Sequence, residues 1–156
     1  MHFKHVLGSL VFLIFWFGTV SKSTPQDSIT FRIDHLFIKT QAKQIPFRIE
    51  LAETGIQRAR GLMWRKHLDK GAGMLFDFKT SDYILMWMKN TYIPLDMLFI
   101  AKNGLILNIE SNTIPLTTNP IKSKGPVRAV LELAAGTAKE YGIQIGDRVI
   151  YSVFKP

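Results

Sequence analysis

The chain has 156 residues, carries a formal net charge of +8 and contains no cysteine, which excludes disulfides, thiolate metal sites and cysteine nucleophiles. Hydrophobic residues make up 47% and charged residues 21%, a globular composition that excludes a disordered chain. The basic residues are scattered and do not form the runs typical of nucleic-acid-binding arms, so we expect no nucleic-acid partner.

Residues 1–23 have the pattern of a secretory signal peptide. Lys4 gives a weakly basic start, residues 6–20 form an apolar run, and small residues follow at Ser21 and Ser23. The run is shorter than the ~20 apolar residues that a membrane-spanning helix needs, which favours cleavage over an uncleaved anchor. We therefore expect export to the periplasm or the exterior, with membrane contact only if the segment is kept, and one domain over residues 24–156.

Alternation of apolar and polar residues predicts two strands early in this domain, over residues 29–33, which residues 36–39 can continue, and over residues 45–51. Pro46 has no N–H to donate, so the second strand is predicted to lie at a sheet edge or to begin at this proline. The pattern then changes, and Thr54 is a predicted N-cap for a short helix over residues 55–63.

The rest of the chain is predicted to form short strands joined by turns. Asn103-Gly104 is a two-residue hairpin signal, the polar residues 111–126 are predicted to be a long surface loop, flexible or covering a ligand, and residues 137–141 can form one helical turn. Apolar or alternating runs predict strands over residues 74–78, 83–88, 95–101, 105–109, 127–134 and 148–154. The sequence therefore predicts a mainly β fold: a single compact small barrel or rolled antiparallel sheet with one or two short helices.

Several phrases of the sequence occur together in the order found in one family. They are RGLM at residues 60–63, GMLF at 73–76, WMKNTYIPLDMLF at 87–99, VLEL at 130–133 with Gly136, and Gly146-Asp147. Over residues 45–151 the chain thus resembles domain-of-unknown-function family 192, an uncharacterised protein family of bacteria and archaea. The resemblance implies a single small, mainly β domain, often behind an export signal, and it supplies no catalytic residues.

A polar island, Lys89-Asn90-Thr91, interrupts the apolar residues of the longest phrase. Asparagine accepts unusual backbone angles and Pro94 fixes the exit of the chain, so turn chemistry explains part of the island. It explains Lys89 less well, because many residue types would serve there. Lys89 beside Asn90, with Arg60 nearby, would form a donor-rich site for a carboxylate, a phosphate or a sugar hydroxyl. The apolar residues around the island, Trp87 included, are predicted to lie in the core.

Three acids, Asp96, Glu110 and Glu132, lie in or beside apolar strands. Acids in such places are seldom buried without a partner, so each needs a cation or water. Structural pairing with Lys89 or another cation is one interpretation. The other is that two of the three act as general acid and base, as in glycoside cleavage, where the separation of the carboxyl groups decides the mechanism.

Three functional hypotheses follow from these residues. The first is a small exported binding or accessory domain that holds a small polar or anionic ligand at Arg60, Lys89, Asn90 and Asp96. The second is a hydrolase or lyase acting on a cell-envelope saccharide, and the third is a structural or interaction protein without a small ligand. No catalytic motif favours the enzyme, and we expect no cofactor and no metal. The sequence does not predict an oligomeric state.

Overall fold

The computed structural model describes residues 29–154. The predicted signal segment, residues 1–23, and its cleavage region lie outside these residues. The described chain forms nine strands and two short helices. Their bounds are β1 Arg32–Lys39, β2 Gln44–Ala52, α1 Gly55–Arg60, β3 Ala72–Asp82, β4 Leu85–Met86, β5 Leu95–Ile100, β6 Ile106–Glu110, β7 Ile121–Lys122, β8 Val127–Ala134, α2 Thr137–Tyr141 and β9 Arg148–Ile150.

Seven strands form one sheet that curls into a nearly closed barrel, which confirms the predicted mainly β fold. The strand order is β6-β5-β8-β3-β2-β1-β9, and β2 runs parallel to β3 while the other pairs are antiparallel. The two ends of this order approach each other at an isolated bridge between Leu105 and Arg148. The N–H of Ile106 also donates to the carbonyl of Asp147 at 2.9 Å. These contacts join the last strand of the order to the first.

The barrel interior is one of two hydrophobic cores. Strand β8 supplies Ala129, Leu131 and Leu133 to it, because alternate residues of a strand point to the same side. Ala138 of α2 packs into the same cluster and brings that helix against the barrel. The interior is thus filled by side chains.

The second core lies on the outer face of β3, β8 and β5. Val130 of β8 points to this side, as alternation requires, and packs with Phe76 and Phe99. Leu62, which follows α1, and Met88 cover these residues from outside. A sheet covered by helix and loop on its outer side offers space between the layers, and the candidate site lies there.

Several local predictions are confirmed. The Thr54 hydroxyl accepts from the N–H of Gln57 at 3.2 Å, and the Gln57 side chain bonds back to the N–H of Thr54, a complete capping box. The ladder between β2 and β3 begins at Arg48, so Pro46 stands at the start of an internal strand, where the missing N–H breaks no bond to β3. The chain reverses between β5 and β6 at the predicted position, with Gly104 at φ +85°, but over residues 101–105 rather than in a two-residue hairpin.

Other element boundaries were wrong. Helix α1 ends at Arg60 rather than at residue 63, because Gly61 takes φ +46° at its C-cap. Of the strand predicted over 83–88 only Leu85–Met86 pairs, and its partner β7 belongs to the segment predicted to be a loop. Within residues 29–154, neither helix has the length and apolar content needed to cross a membrane.

Candidate functional site

A pocket of about 210 Å³ lies between α1, the outer face of the barrel and the segment that leads into the polar island. Glu132 of β8 lines it, and most of its other walls are apolar. Two cations from distant parts of the sequence also line it: Arg60 at the end of α1 and Lys89 in the polar island. The remaining lining residues are Arg58, Ala59, Gly61, Leu62, Met63, Phe76, Phe78, Leu85, Met86, Trp87 and Thr91.

The polar island forms a tight turn beside this pocket. Asn90 takes a left-handed φ of +56°, and the N–H of Thr91 donates to the carbonyl of Met88 at 3.1 Å. The Asn90 carbonyl accepts from the N–H of Trp64 at 2.8 Å, and the Thr91 hydroxyl donates to the Lys89 carbonyl at 3.3 Å. Asn90 and Thr91 therefore serve the turn and its attachment to the chain after α1. The Lys89 side chain is left to the pocket.

Two cations at the pocket mouth rest on indole rings. The Arg60 guanidinium carbon lies 4.3 Å from the centroid of the Trp64 ring, and the Lys89 ammonium lies 5.7 Å from that of Trp87. Neither the guanidinium group of Arg60 nor the ammonium group of Lys89 forms a hydrogen bond or an ion pair with any residue in the range 29–154. Arg58, in contrast, donates to the carbonyls of Glu53 and Asp77. The mouth thus carries two charges available to a ligand.

Glu132 is a largely buried acid at the wall of the pocket. Its exposed fraction is 4%, and no hydrogen bond or ion pair from the described residues reaches its carboxyl group. Burial disfavours the charged form and raises the pKa of Glu132 from 4.5 to about 8. At neutral pH the pocket therefore contains a neutral carboxylic acid, which can both donate and accept a hydrogen bond.

The other two candidate acids lie elsewhere. Asp96 points to the opposite side of the sheet, where its carboxylate accepts from the N–H groups of Asn112 at 2.9 Å and Ala138 at 2.8 Å. It holds α2 and the segment after β6 in place. Glu110 shares a register row with Glu132, two strands away, but it is exposed at the end of β6. The structure does not bring two of the three acids into one pocket.

The structure also corrects the position predicted for Trp87. Its side chain is 52% exposed at the pocket mouth, so its placement in the core was wrong. The segment before the island pairs for only two residues and turns Trp87 outward, whereas Met88 is buried. Sequence reasoning also missed the walls formed by Phe76 and Met86. The neighbouring cations and tryptophans, Arg60 near Trp64 and Lys89 near Trp87, were the available signal.

Comparison with known proteins gives a family and related folds. The family model described as DUF192, Uncharacterized ACR, matches residues 28–151. A crystal structure from Sinorhizobium meliloti 1021, described as a proposed transcription regulator, is 42% identical with a TM-score of 0.77, covering 79% of this chain and 96% of that one. A protein of unknown function from Novosphingobium aromaticivorans DSM 12444 is 37% identical with a TM-score of 0.74, covering 76% and 85%. No curated protein matches the chain.

Proposed function

The chain belongs to the DUF192 family, and from that premise we propose that it is a small exported binding domain that holds a small organic anion in the pocket between α1 and the polar island. The observation that carries the proposal is the convergence of Arg60 and Lys89 on one pocket with no carboxylate partner among residues 29–154. Cations that are held on aromatic rings and left unpaired are suited to an incoming carboxylate or phosphate.

The size and walls of the pocket narrow the class of ligand. Its volume of about 210 Å³ lies below the ~300–1,000 Å³ range of drug-sized ligand pockets, so the ligand is a small molecule. Phe76, Leu62 and Met86 provide apolar walls, so the body of the ligand is apolar as well. The ligand is therefore a small anion with an apolar part, rather than a fully hydrated ion.

Export is the second part of the proposal, and residues 1–23 support it. Their short basic start, apolar run and small residues match a cleavable signal. Fractionation of cells that express the full chain, followed by intact mass measurement of the exported form, tests this part. The expected mass is that of a mature chain that begins near residue 22 or 24. Retention of the full-length mass in the cytoplasm would refute export.

Ligand binding is tested by purifying the protein from the exported fraction under native conditions and identifying by mass spectrometry any small molecule that co-purifies. We expect an organic anion, and we expect the double variant Arg60→Ala, Lys89→Ala to lose it. Lys102→Ala is the matched control, because Lys102 is exposed in the turn after β5 and does not line the pocket.

The melting temperatures of the ligand-free proteins separate binding from folding. Neither Arg60 nor Lys89 is buried, so the double variant should melt within a few degrees of the unaltered protein. An empty pocket in the unaltered protein, or equal ligand retention by the double variant and by Lys102→Ala, would contradict the proposed function. A large loss of stability in the double variant would assign the two cations to folding.

A further inference from the structure

The proposed function uses the two cations at the pocket mouth and gives no role to Glu132, the acid in the floor of the pocket. In the sheet it pairs with Met74 on one side and Met97 on the other, so its carboxyl group emerges between two apolar side chains. It lines the pocket and has no partner among the described residues. No fully enclosed side-chain oxygen or nitrogen among the described residues lacks a hydrogen-bond partner, so the carboxyl oxygens of Glu132 are open to the pocket. A ligand that fills the pocket displaces water from this carboxyl group, and it binds best if it supplies a hydrogen bond in place of that water.

The charged residues that line the pocket besides Glu132 are all positive. Arg58 and Arg60 come from α1 and Lys89 from the island, and all three line the same pocket. On its own sheet, the acids that share its register row are two strands away, and these are Glu50, which pairs with Arg65 at 2.6 Å, and Glu110, which is exposed. A cationic group of a ligand would therefore enter a pocket that already holds three positive charges.

We propose that Glu132, as a neutral acid, donates a hydrogen bond to an uncharged oxygen of the ligand while Arg60 and Lys89 hold the ligand's anionic group. The ligand is then an organic anion with an apolar body and a hydroxyl or carbonyl oxygen at the far end from its charge. This inference rests on the proposed function and specifies the substrate class of the same site.

The alternative occupant of the floor is an amine, which would require a charged Glu132. Burial holds the pKa of Glu132 at about 8, so forming the carboxylate at pH 7 costs free energy before the amine can gain from it. A neutral oxygen needs no such ionisation and satisfies the buried O–H directly. The two occupants also predict opposite effects of pH on affinity, which makes them separable.

Three small anions test the inference on the mature protein. At the end far from the carboxylate, 4-hydroxyphenylacetate carries a hydroxyl group, phenylacetate carries no polar group, and 4-(aminomethyl)benzoate carries an amine. Their affinities can be measured by calorimetry at pH 6, 7 and 9, with the fluorescence of Trp64 and Trp87 as a second readout. We expect the hydroxyl compound to bind more tightly than phenylacetate. Its affinity should be constant below pH 7 and fall by up to about tenfold per pH unit above pH 8, as Glu132 ionises.

Two variants identify Glu132 as the donor. Glu132→Gln keeps an N–H donor without a titrating proton, so it should retain the preference for the hydroxyl compound and lose the fall in affinity at high pH. Glu132→Leu should lose the preference. If Glu132→Leu does not fold, the pH profile of Glu132→Gln still decides.

Two results would overturn the inference. Tighter binding of the amine compound, strengthening from pH 7 to pH 9 and lost in Glu132→Gln, would show that a charged Glu132 binds a cation. Failure of all three compounds to bind at millimolar concentration, while the natively purified protein still retains an anion that depends on Arg60 and Lys89, would refute this ligand class and leave the proposed function standing. If none of the three compounds binds and the natively purified protein retains no anion, both this inference and the proposed function are refuted.

Discussion

Replacing Glu132 by Gln should change how the stability of the protein depends on pH. The native state keeps the Glu132 proton up to a pKa of about 8, whereas the unfolded chain releases it near 4.5. Between these values the native state binds more protons than the unfolded state, so the free energy of unfolding falls as pH rises. Each pH unit removes about 1.4 kcal/mol, which amounts to about 3 kcal/mol by pH 7. This contribution is fully present below pH 4.5 and lost by pH 8.

The amide of Glu132→Gln does not titrate, so the variant should lack this slope. Urea denaturation at pH 5, 6, 7 and 8 measures the difference, with Glu110→Gln as the control because Glu110 is exposed. We expect the stability of Glu132→Gln relative to the unaltered protein to rise steadily from pH 5 to pH 8, and that of Glu110→Gln to stay flat. Parallel curves for all three proteins would show that Glu132 is charged or paired in the native state and would refute the reasoning.

Three further pairs of substitutions test the structure by thermal or urea denaturation. Trp87→Ala should lower the free energy of unfolding by only about 1–2 kcal/mol because its indole is half exposed, whereas Phe99→Ala, in the buried core, should lower it by ~3–5 kcal/mol. Equal losses would show that the Trp87 side chain is buried. Asp96→Ala should cost about 2–3 kcal/mol, because it leaves the N–H of Ala138 without its acceptor, and Asp96→Asn should recover part of this loss. An unchanged midpoint for Asp96→Ala would argue against a stabilising role for this hydrogen bond. Asn90→Val should lose about 1–2 kcal/mol at its left-handed φ and Asn90→Gly far less, and the reverse order would contradict the turn.

The fold followed from local signals that tertiary packing did not override. The alternation in β2, the cap at Thr54 and the turn before Leu105 depend on neighbours in sequence, and each appears in the structure, whereas β1 begins at Arg32, three residues after the start predicted for it. Boundaries failed where a distant partner decided the outcome. Residues 83–88 are apolar enough for a full strand, but only two of them pair in a strand ladder, and the partner strand is contributed by the segment around Ile121.

The candidate site was foreseen in part for the same reason. Lys89 and Arg60 stood out as cations beside apolar phrases, and both line the pocket. Asp96 was grouped with them because it is near Lys89 in sequence, yet alternation along β5 sends its side chain to the other face of the sheet. The burial of Glu132 without a partner could not be read from the chain, because it depends on two neighbouring strands and on the layer that covers them.

The barrel is completed by the last strand of the chain. Strand β9 pairs with β1, so Phe37 pairs with Ile150, which lies far along the chain. Strand β9 also bridges to Leu105, in the turn before β6, through Arg148. Until residue 150 is present, β1 and the start of β6 both present unpaired edges, which are the parts of a sheet most prone to pair with another chain. Contacts this distant in sequence also form late in folding. A nascent or truncated chain that stops before residue 148 lacks β9 and is therefore an open sheet, so such a truncation would convert the barrel into an aggregation-prone protein.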